Sequence, residues 1–430
     1  MKRQDILMLF FIPVLSACLE SPTMTKGIVN GKEKPTVMTE FTNPILIEGN
    51  LFFQGKIIDK GKDEAIETGF YWSTDSARNL GMSDSDSMVI VDAYDENVFS
   101  YELKNASGEK TYYWRAFARN NFGFDYGKVD SCRTPQIWEE KESLNAISRG
   151  RGAVFVLNNK IYMTCGQLPS GSVLSNDTWE YSIANNRWGQ LESFPGDYRR
   201  YPVAFTIGNL AFVGTGQKAA GVAYNDFFRY NSAASDSFWE KISTPDDLIA
   251  RYEGVAFSIN GKGYIVAGRS ANNEILDDIW QYDPEDNSWQ KKNDFPAKFY
   301  GGISICGNSR AFAGFGEPSG TKKILWEYDE KTDNWSVFTT LPDEVTKKIY
   351  SGVIVRNTIY IVDGNNTIWV YNMSNESKTW GKKADLPLVL LDNDGNGGEQ
   401  LLISTGNSNS IYVGLGYTKI LYEYRPLWDN

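Results

Sequence analysis

The chain of 430 residues carries a net charge of −11 and contains no histidine. An acidic balance of that size argues against nucleic acid as a partner, because tracking a phosphate backbone needs a basic face. Without histidine, serine–histidine triads, cysteine–histidine dyads and imidazole-held copper or zinc are excluded.

Residues 1–18 read MKRQDILMLFFIPVLSAC. Lys2 and Arg3 precede an apolar run from Ile6 to Leu15 that is too short to span a bilayer, the pattern of an export signal. Its end, Leu15-Ser16-Ala17-Cys18, resembles the bacterial lipobox, in which cleavage before the cysteine is coupled to acylation of its thiol. That resemblance implies lipidation of Cys18, a membrane anchor, and residence in the bacterial cell envelope at the outer membrane, facing the periplasm or the outside. An ordinary signal peptide containing a cysteine is the plainer alternative. Residues 19–34 are polar, with Pro22, Gly27 and Gly31, and read as a tether. The other cysteines, Cys132, Cys165 and Cys306, are odd in number and need no disulfide; Cys165 and Cys306 lie in strand-like runs and read as small buried residues.

Residues 35–135 hold seven short strand signals separated by turn residues: Ile45–Leu51, Phe53–Ile58, Thr68–Ser73, Met88–Ala93, Phe99–Leu103, Tyr112–Arg119 and Gly127–Arg133. Seven strands in about a hundred residues predict a small β-sandwich. The stretch TYYWRAFARNNFGFDYG, Thr111 to Gly127, resembles the late strands of a fibronectin type III module, with Tyr112 as its tyrosine corner. Such a module beside a lipid anchor implies a spacer, with ligand binding as the alternative. The segment GNLFFQG, Gly49 to Gly55, resembles a viral protease cleavage tag, but its alternation fits a native strand.

Residues 136–430 repeat one unit. An apolar strand ending in glycine recurs as KIYMTCG, LAFVGTG, KGYIVAG, SRAFAGFG, TIYIVDG and SIYVGLG, closing at Gly166, Gly216, Gly268, Gly316, Gly364 and Gly416. A second strand ends at Tyr181, Tyr230, Tyr282, Tyr328, Tyr371 and Tyr424. A third element runs from a tryptophan to a proline, with Trp188, Trp239, Trp289, Trp335 and Trp380 advancing by 51, 50, 46 and 45 residues. A period near fifty with four short strands per unit resembles the kelch β-propeller, over about two thirds of the chain. Only the second glycine of the family's glycine pair is kept. Six inner hairpins are followed by five outer strands, and Trp138–Leu144, 50 residues before Trp188, supplies the sixth. The expected fold is therefore all-β: a six-bladed kelch-type propeller whose N-terminal strand, 138–144, closes the last blade, preceded by the sandwich. Truncation before Ala146 should destabilise the ring, whereas removal through Pro135 should be tolerated.

Antiparallel pairing inside a blade brings the start of its first strand and the end of its second to one mouth of the ring. The first set is Arg149, Arg199, Arg251, Phe299 and Ile349; then Gly150, Arg200, Tyr252, Tyr300 and Tyr350; then Arg151, Tyr201 and Glu253. The second set is Gln167, Gln217, Arg269, Glu317, Asn365 and Tyr417. Arginine forks among amides, tyrosines and carboxylates suit a ligand with a carboxylate or many hydroxyls, such as a sialic-acid-like sugar or an acidic peptide. The alternative is that the arginines hydrogen-bond loop carbonyls within the scaffold. If they meet ligand, Arg199→Ala with Arg251→Ala should leave stability within about 1 kcal/mol of wild type; a large loss favours the scaffold role.

Asp392-Asn393-Asp394-Gly395-Asn396-Gly397 matches the opening of a calcium loop, with Asp392, Asp394 and Asn396 as candidate ligands. The twelfth position is Ile403 instead of glutamate, and a polar turn is the competing reading. No other cofactor is implied.

Two functions stay open. One is a lipid-anchored module binding a glycan or envelope protein at the mouth, without catalysis. The other follows from a resemblance to exported kelch propellers that are sialic-acid mutarotases, and implies metal-free acid–base work by Glu253 or Glu317 beside Arg199 and Arg251. A likeness to the galactose oxidase propeller does not extend to its copper chemistry, for want of histidine. A purely structural role is the remaining possibility.

Overall fold

The computed structural model describes residues 33–40, 49–62, 66–75, 80–81, 87–92, 97–234, 237–318, 320–374, 378–387, 401–404 and 409–429. Cys18, the export signal and the Asp392–Asn396 loop lie outside the described residues.

Two antiparallel sheets form the N-terminal sandwich. One holds Thr36–Thr39, Leu51–Asp59 and Val98–Leu103; the other holds Ser87–Ile90, Glu67–Ser73, Thr111–Asn120 and Gly123–Tyr126, with Asp130–Arg133 also paired to Thr111–Asn120. Alternation puts Leu51, Phe53 and Ile57 inside against Phe70, Phe99 and Trp114, and Phe53 stacks on Trp114 at 4.8 Å between centroids. The Tyr112 hydroxyl accepts a hydrogen bond from the Ser107 amide at 2.8 Å, fixing the corner that leads into its strand. Strand Thr36–Thr39 is missed by the sequence reading because only four residues pair at a sheet edge. Gly127–Arg133 divides, since only Asp130–Arg133 of that run pairs.

Six blade sheets follow among the described residues, five of four strands and one, the third, of five. Their innermost long strands are Ala153–Leu157, Val203–Ile207, Val255–Ile259, Ile303–Gly307, Ile349–Val355 and Leu401–Ser404. In the last sheet the outer strand is Trp138–Lys141, with Tyr424 opposite Trp138 and Leu421 opposite Lys141. This seam is held by a 4.4 Å ring stack between Trp138 and Tyr424, by the 2.7 Å ion pair of Lys141 with Glu423, and by Arg425 between Glu139 and Glu423. Apolar clusters join each sheet to the next, and Ile161, Met163 and Tyr181 of the first blade share one with Ile403, Tyr412 and Leu421 of the sixth, so the ring is complete.

The recurring residues each have a task. Tyr181, Tyr282, Tyr328 and Tyr424 donate hydroxyl hydrogen bonds of 2.6–2.8 Å to the side chain five residues on, which caps the turn to the outer strand in the first three cases and the closing 3-10 turn Pro426–Trp428 in the last. The indole N–H groups of Trp188 and Trp289 donate to Glu142 and Ser243 carbonyls of the preceding interblade connection, at 2.8 and 2.9 Å. Where the first glycine of the pair is missing the backbone keeps its left-handed turn: Cys165, Thr215, Ala267, Phe315 and Leu415 have φ between 56° and 66°. Cys306 departs from expectation. Its strand turns Ile303 and Ile305 inward, which leaves Cys306 exposed, while Cys165 is buried.

Candidate functional site

The three arginines that open the first three blades are scaffold, which corrects the expectation that their forks meet a ligand. Arg149, Arg199 and Arg251 are at most 1% exposed. Each guanidinium grips an aspartate in or one residue before its own blade's third long strand: Arg149 holds Asp177, Arg199 holds Asp226 at 2.5 and 3.0 Å, and Arg251 holds Asp278 at 2.7 and 2.6 Å. The remaining donors of Arg251 go to carbonyls, Nε to Ile249 and Nη1 to Ala267, at 3.0 and 3.2 Å. Trp179 and Trp280 donate indole hydrogen bonds to Asp177 and Asp278. Burial lowers the Arg149 guanidinium to about 10. Burial also pushes the Asp278 carboxyl up, but the hydrogen bonds and charge of Arg251 outweigh it and hold Asp278 below its usual range. In the fourth blade the same two positions are Phe299 and Ile324, members of one apolar cluster. An apolar pair standing where its neighbours have a bidentate ion pair is the substitution expected of a packing element.

The next residues do form a rim. Gly150 pairs with Gln167, Arg200 with Gln217, Tyr252 with Arg269 and Tyr300 with Glu317, so the two sets meet blade by blade. Gln167 Oε1 accepts from Arg151 Nη1 at 2.6 Å and from Arg200 Nη1 at 3.4 Å, and lies 3.5 Å from the Tyr417 hydroxyl. Gln217 Oε1 accepts from Arg200 Nη2 at 3.0 Å. Tyr252 is buried, its hydroxyl spent on Asn273. The Arg269 guanidinium lies 3.3 Å from the centre of the Tyr300 ring, and its Nε is 3.6 Å from Glu253 Oε2. Glu317 pairs with Lys322 at 2.8 Å.

One step further in, Arg151, Tyr201, Glu253 and Gly301 share a left-handed backbone, with φ of 54–60°. Tyr201 N donates to Arg151 O at 2.7 Å and Gly301 N to Glu253 O at 2.8 Å, which chains neighbouring blades around the opening. Non-glycine residues rarely adopt this conformation. Here it carries the Arg151, Tyr201 and Glu253 side chains to a cavity of ≈ 190 Å³ at the mouth. Lys348 and Tyr350 complete its polar wall, and Met163, Leu401 and Leu415 its apolar one.

Lys348 is the functional candidate that sequence reasoning missed. The Lys347-Lys348 pair directly precedes Ile349, at the turn where the other blades present their rim, and its doubled charge was the available signal. Lys348 Nζ lies 5.7 Å from the Tyr350 ring centre. Among the described residues neither Lys347 nor Lys348 has an ion-pair partner, and no group of three His, Cys, Asp or Glu is placed to hold a metal ion.

The Kelch motif matches residues 250–296, which is the third blade with its Arg251–Asp278 pair. The solved structure of YjhT superposes with a TM-score of 0.50 at 15% identity, covering 64% of this chain and 92% of that one. The chain carries a kelch-repeat propeller. Among curated proteins, a putative F-box/kelch-repeat protein of Arabidopsis thaliana is 26% identical over 44% of this chain and 54% of its own length. An N-acetylneuraminate epimerase of Yersinia enterocolitica is 32% identical over 22% of this chain and 26% of its own length. The chain thus spans about half, or less, of these two relatives, and the low identity to YjhT bears on fold alone.

Proposed function

We propose that the propeller mouth binds a small acidic sugar. The observation that carries this is the charge of the cavity wall: Arg151 and Lys348 face it against the single carboxylate of Glu253, in a chain whose net charge is −11. The arginines of the scaffold are neutralised by their aspartates, so the charge lining the cavity itself comes from these three groups, with Arg200, Arg269 and Glu317 on the rim around it. Tyr201 and Tyr350 supply hydroxyls and ring faces to the cavity wall. The match to an N-acetylneuraminate epimerase supports an acidic sugar as the class.

A second reading has the same site interconvert sugar anomers, with Glu253 moving the proton and Arg151 or Lys348 holding the carboxylate. The epimerase relative and the position of Glu253 in the cavity wall favour it. Lipidation at Cys18 would hold the chain at the envelope surface, with the fibronectin-like sandwich as spacer between lipid and propeller.

The test is titration calorimetry of the full chain with acidic and neutral monosaccharides. Binding of N-acetylneuraminic acid, lost in Arg151→Ala and Lys348→Ala, supports the site; equal response to a neutral hexose sinks it. Saturation-transfer NMR on the bound sugar then decides the second reading. Anomer exchange that disappears in Glu253→Gln makes the chain an isomerase, and unaccelerated exchange leaves it a binding module.

A further inference from the structure

Beside the mouth lies a second cavity of ≈ 290 Å³ between the fourth and fifth blades. It shares Gly301 and Lys348 with the mouth cavity, so the two spaces adjoin across that lysine. Its floor is apolar, from Phe315, Leu341 and Val345, all buried. Its rim is cationic: Lys322, Lys323, Lys347 and Lys348. Lys322 is matched by Glu317 at 2.8 Å and Lys323 by Asp343 at 2.9 Å, whereas Lys347 and Lys348 meet no carboxylate among the described residues.

The scaffold accounts for this asymmetry. In the first three blades the cation at the blade opening is an arginine turned inward onto an aspartate. In the fourth and fifth blades that position is Phe299 or Ile349, both buried, so the positive charge on this side of the ring is carried by exposed lysines instead. Charge locked in an ion pair exerts little field outside, while unpaired lysines above an apolar floor attract an anion that also has an apolar face. The ring faces and acyl groups of a sugar supply that face.

We infer that the lysine cavity is a second subsite, and that the ligand is an acidic oligosaccharide with one unit in the mouth and its next anionic unit under Lys347, the rim lysine away from the mouth that no carboxylate holds among the described residues. Lys348, at the junction, contacts the linkage side of both units. This inference rests on the reading of the mouth as an acidic-sugar site.

The experiment compares N-acetylneuraminic acid with its α2,8-linked dimer by calorimetry on the full chain, wild type and the variant Lys347→Glu. The expected result is a dimer that binds wild type about tenfold more tightly than the monomer. The variant loses that advantage and binds the monomer within about twofold of wild type. The advantage also shrinks in high salt, as screening requires. If wild type binds the monomer but gains nothing from the second unit, the subsite is wrong and the mouth reading stands. If the variant keeps the full advantage while melting like wild type, the second unit lies elsewhere and the subsite is again wrong. Failure of both sugars to bind wild type overturns the mouth reading and the subsite with it.

Discussion

The carbonyl of Trp428 accepts a hydrogen bond from the Gly108 amide at 2.7 Å, and so ties the end of the propeller to the sandwich. The short 3-10 turn Pro426–Trp428 places the indole in the sandwich core with Leu51, Ala106 and Tyr112, where it is 7% exposed. Ile137, at the start of the closing strand, packs against that core and also against the cluster between the fifth and sixth blades. The two folds therefore share apolar surface at the seam that closes the ring.

This seam changes the expected outcome of truncation. Removing residues through Pro135 uncovers Trp428 and Ile137 beside the Trp138–Tyr424 stack, and should lower propeller stability noticeably. Trp428→Ala in the full chain should cost about 3 kcal/mol, the range for a buried aromatic cut to a methyl. Denaturant melts of the two variants check this. A truncated chain as stable as the full one would show that the contact contributes nothing.

The arginine–aspartate pairs invite a sharper test. Arg251→Ala leaves Asp278 buried without its partner, and an uncompensated charge of that kind costs about 3–5 kcal/mol. The double change Arg251→Phe with Asp278→Ile copies the fourth blade's Phe299 and Ile324, and should recover most of that loss. Thermal melts of the single and double variants measure the difference. A single variant within about 1 kcal/mol of wild type would return Arg251 to the list of ligand groups.

Much of this architecture was legible because the blade repeat is written in large residues with fixed tasks. Tyr282 caps its turn through Asn287, and Trp289 reaches back to Ser243, so both recur at a near-constant period. The mouth was less legible. Arg149, Arg199 and Arg251 were the conspicuous charges, but their partners Asp177, Asp226 and Asp278 lie 27 or 28 residues away, across the intervening hairpin. Sequence spacing alone did not show that each pair closes. Lys348 was passed over because its blade lacks the arginine that set the frame, and the Trp428 contact joins segments 320 residues apart.

Gly268 gives a test of the hairpin turn. Its φ is 100°, and a Cβ there would sit 2.8 Å from Gly254 N and from Tyr252 O, both backbone atoms that cannot yield cheaply. Gly268→Ala should therefore destabilise by about 2–3 kcal/mol and disturb the rim pair of Tyr252 with Arg269. Gly189, on the outer strand of the first blade, has open space and no positive φ. Gly189→Ala should be close to neutral, so the two melts separate a general cost of replacing glycine from the specific clash.

The pH dependence of stability should have two edges and no step between them. On the acid side, hydrogen bonds from Lys141 and Arg425 lower the Glu139 carboxyl. Burial raises Glu423, but its hydrogen bonds with Lys141 and Ser410 bring it below the usual range, as Arg251 does for Asp278. A carboxyl depressed in the folded state contributes stability that is present above its unfolded pKa, about 4, and is lost as pH falls through the lower folded value. On the alkaline side, burial pushes the Tyr230 and Tyr360 hydroxyls up to about 12 and raises Tyr264 and Tyr424 as well. A tyrosine raised in the folded state contributes fully below its unfolded pKa, about 10, and that contribution is lost as pH climbs from there through the folded value. The chain has no histidine, the side chain whose ordinary pKa lies near neutrality. Urea melts at constant ionic strength should give a flat midpoint from about pH 5 to 9, falling below about 4 and above about 10. A step near pH 6 to 7 would mean that a group outside these three carboxyls and four tyrosines controls the fold.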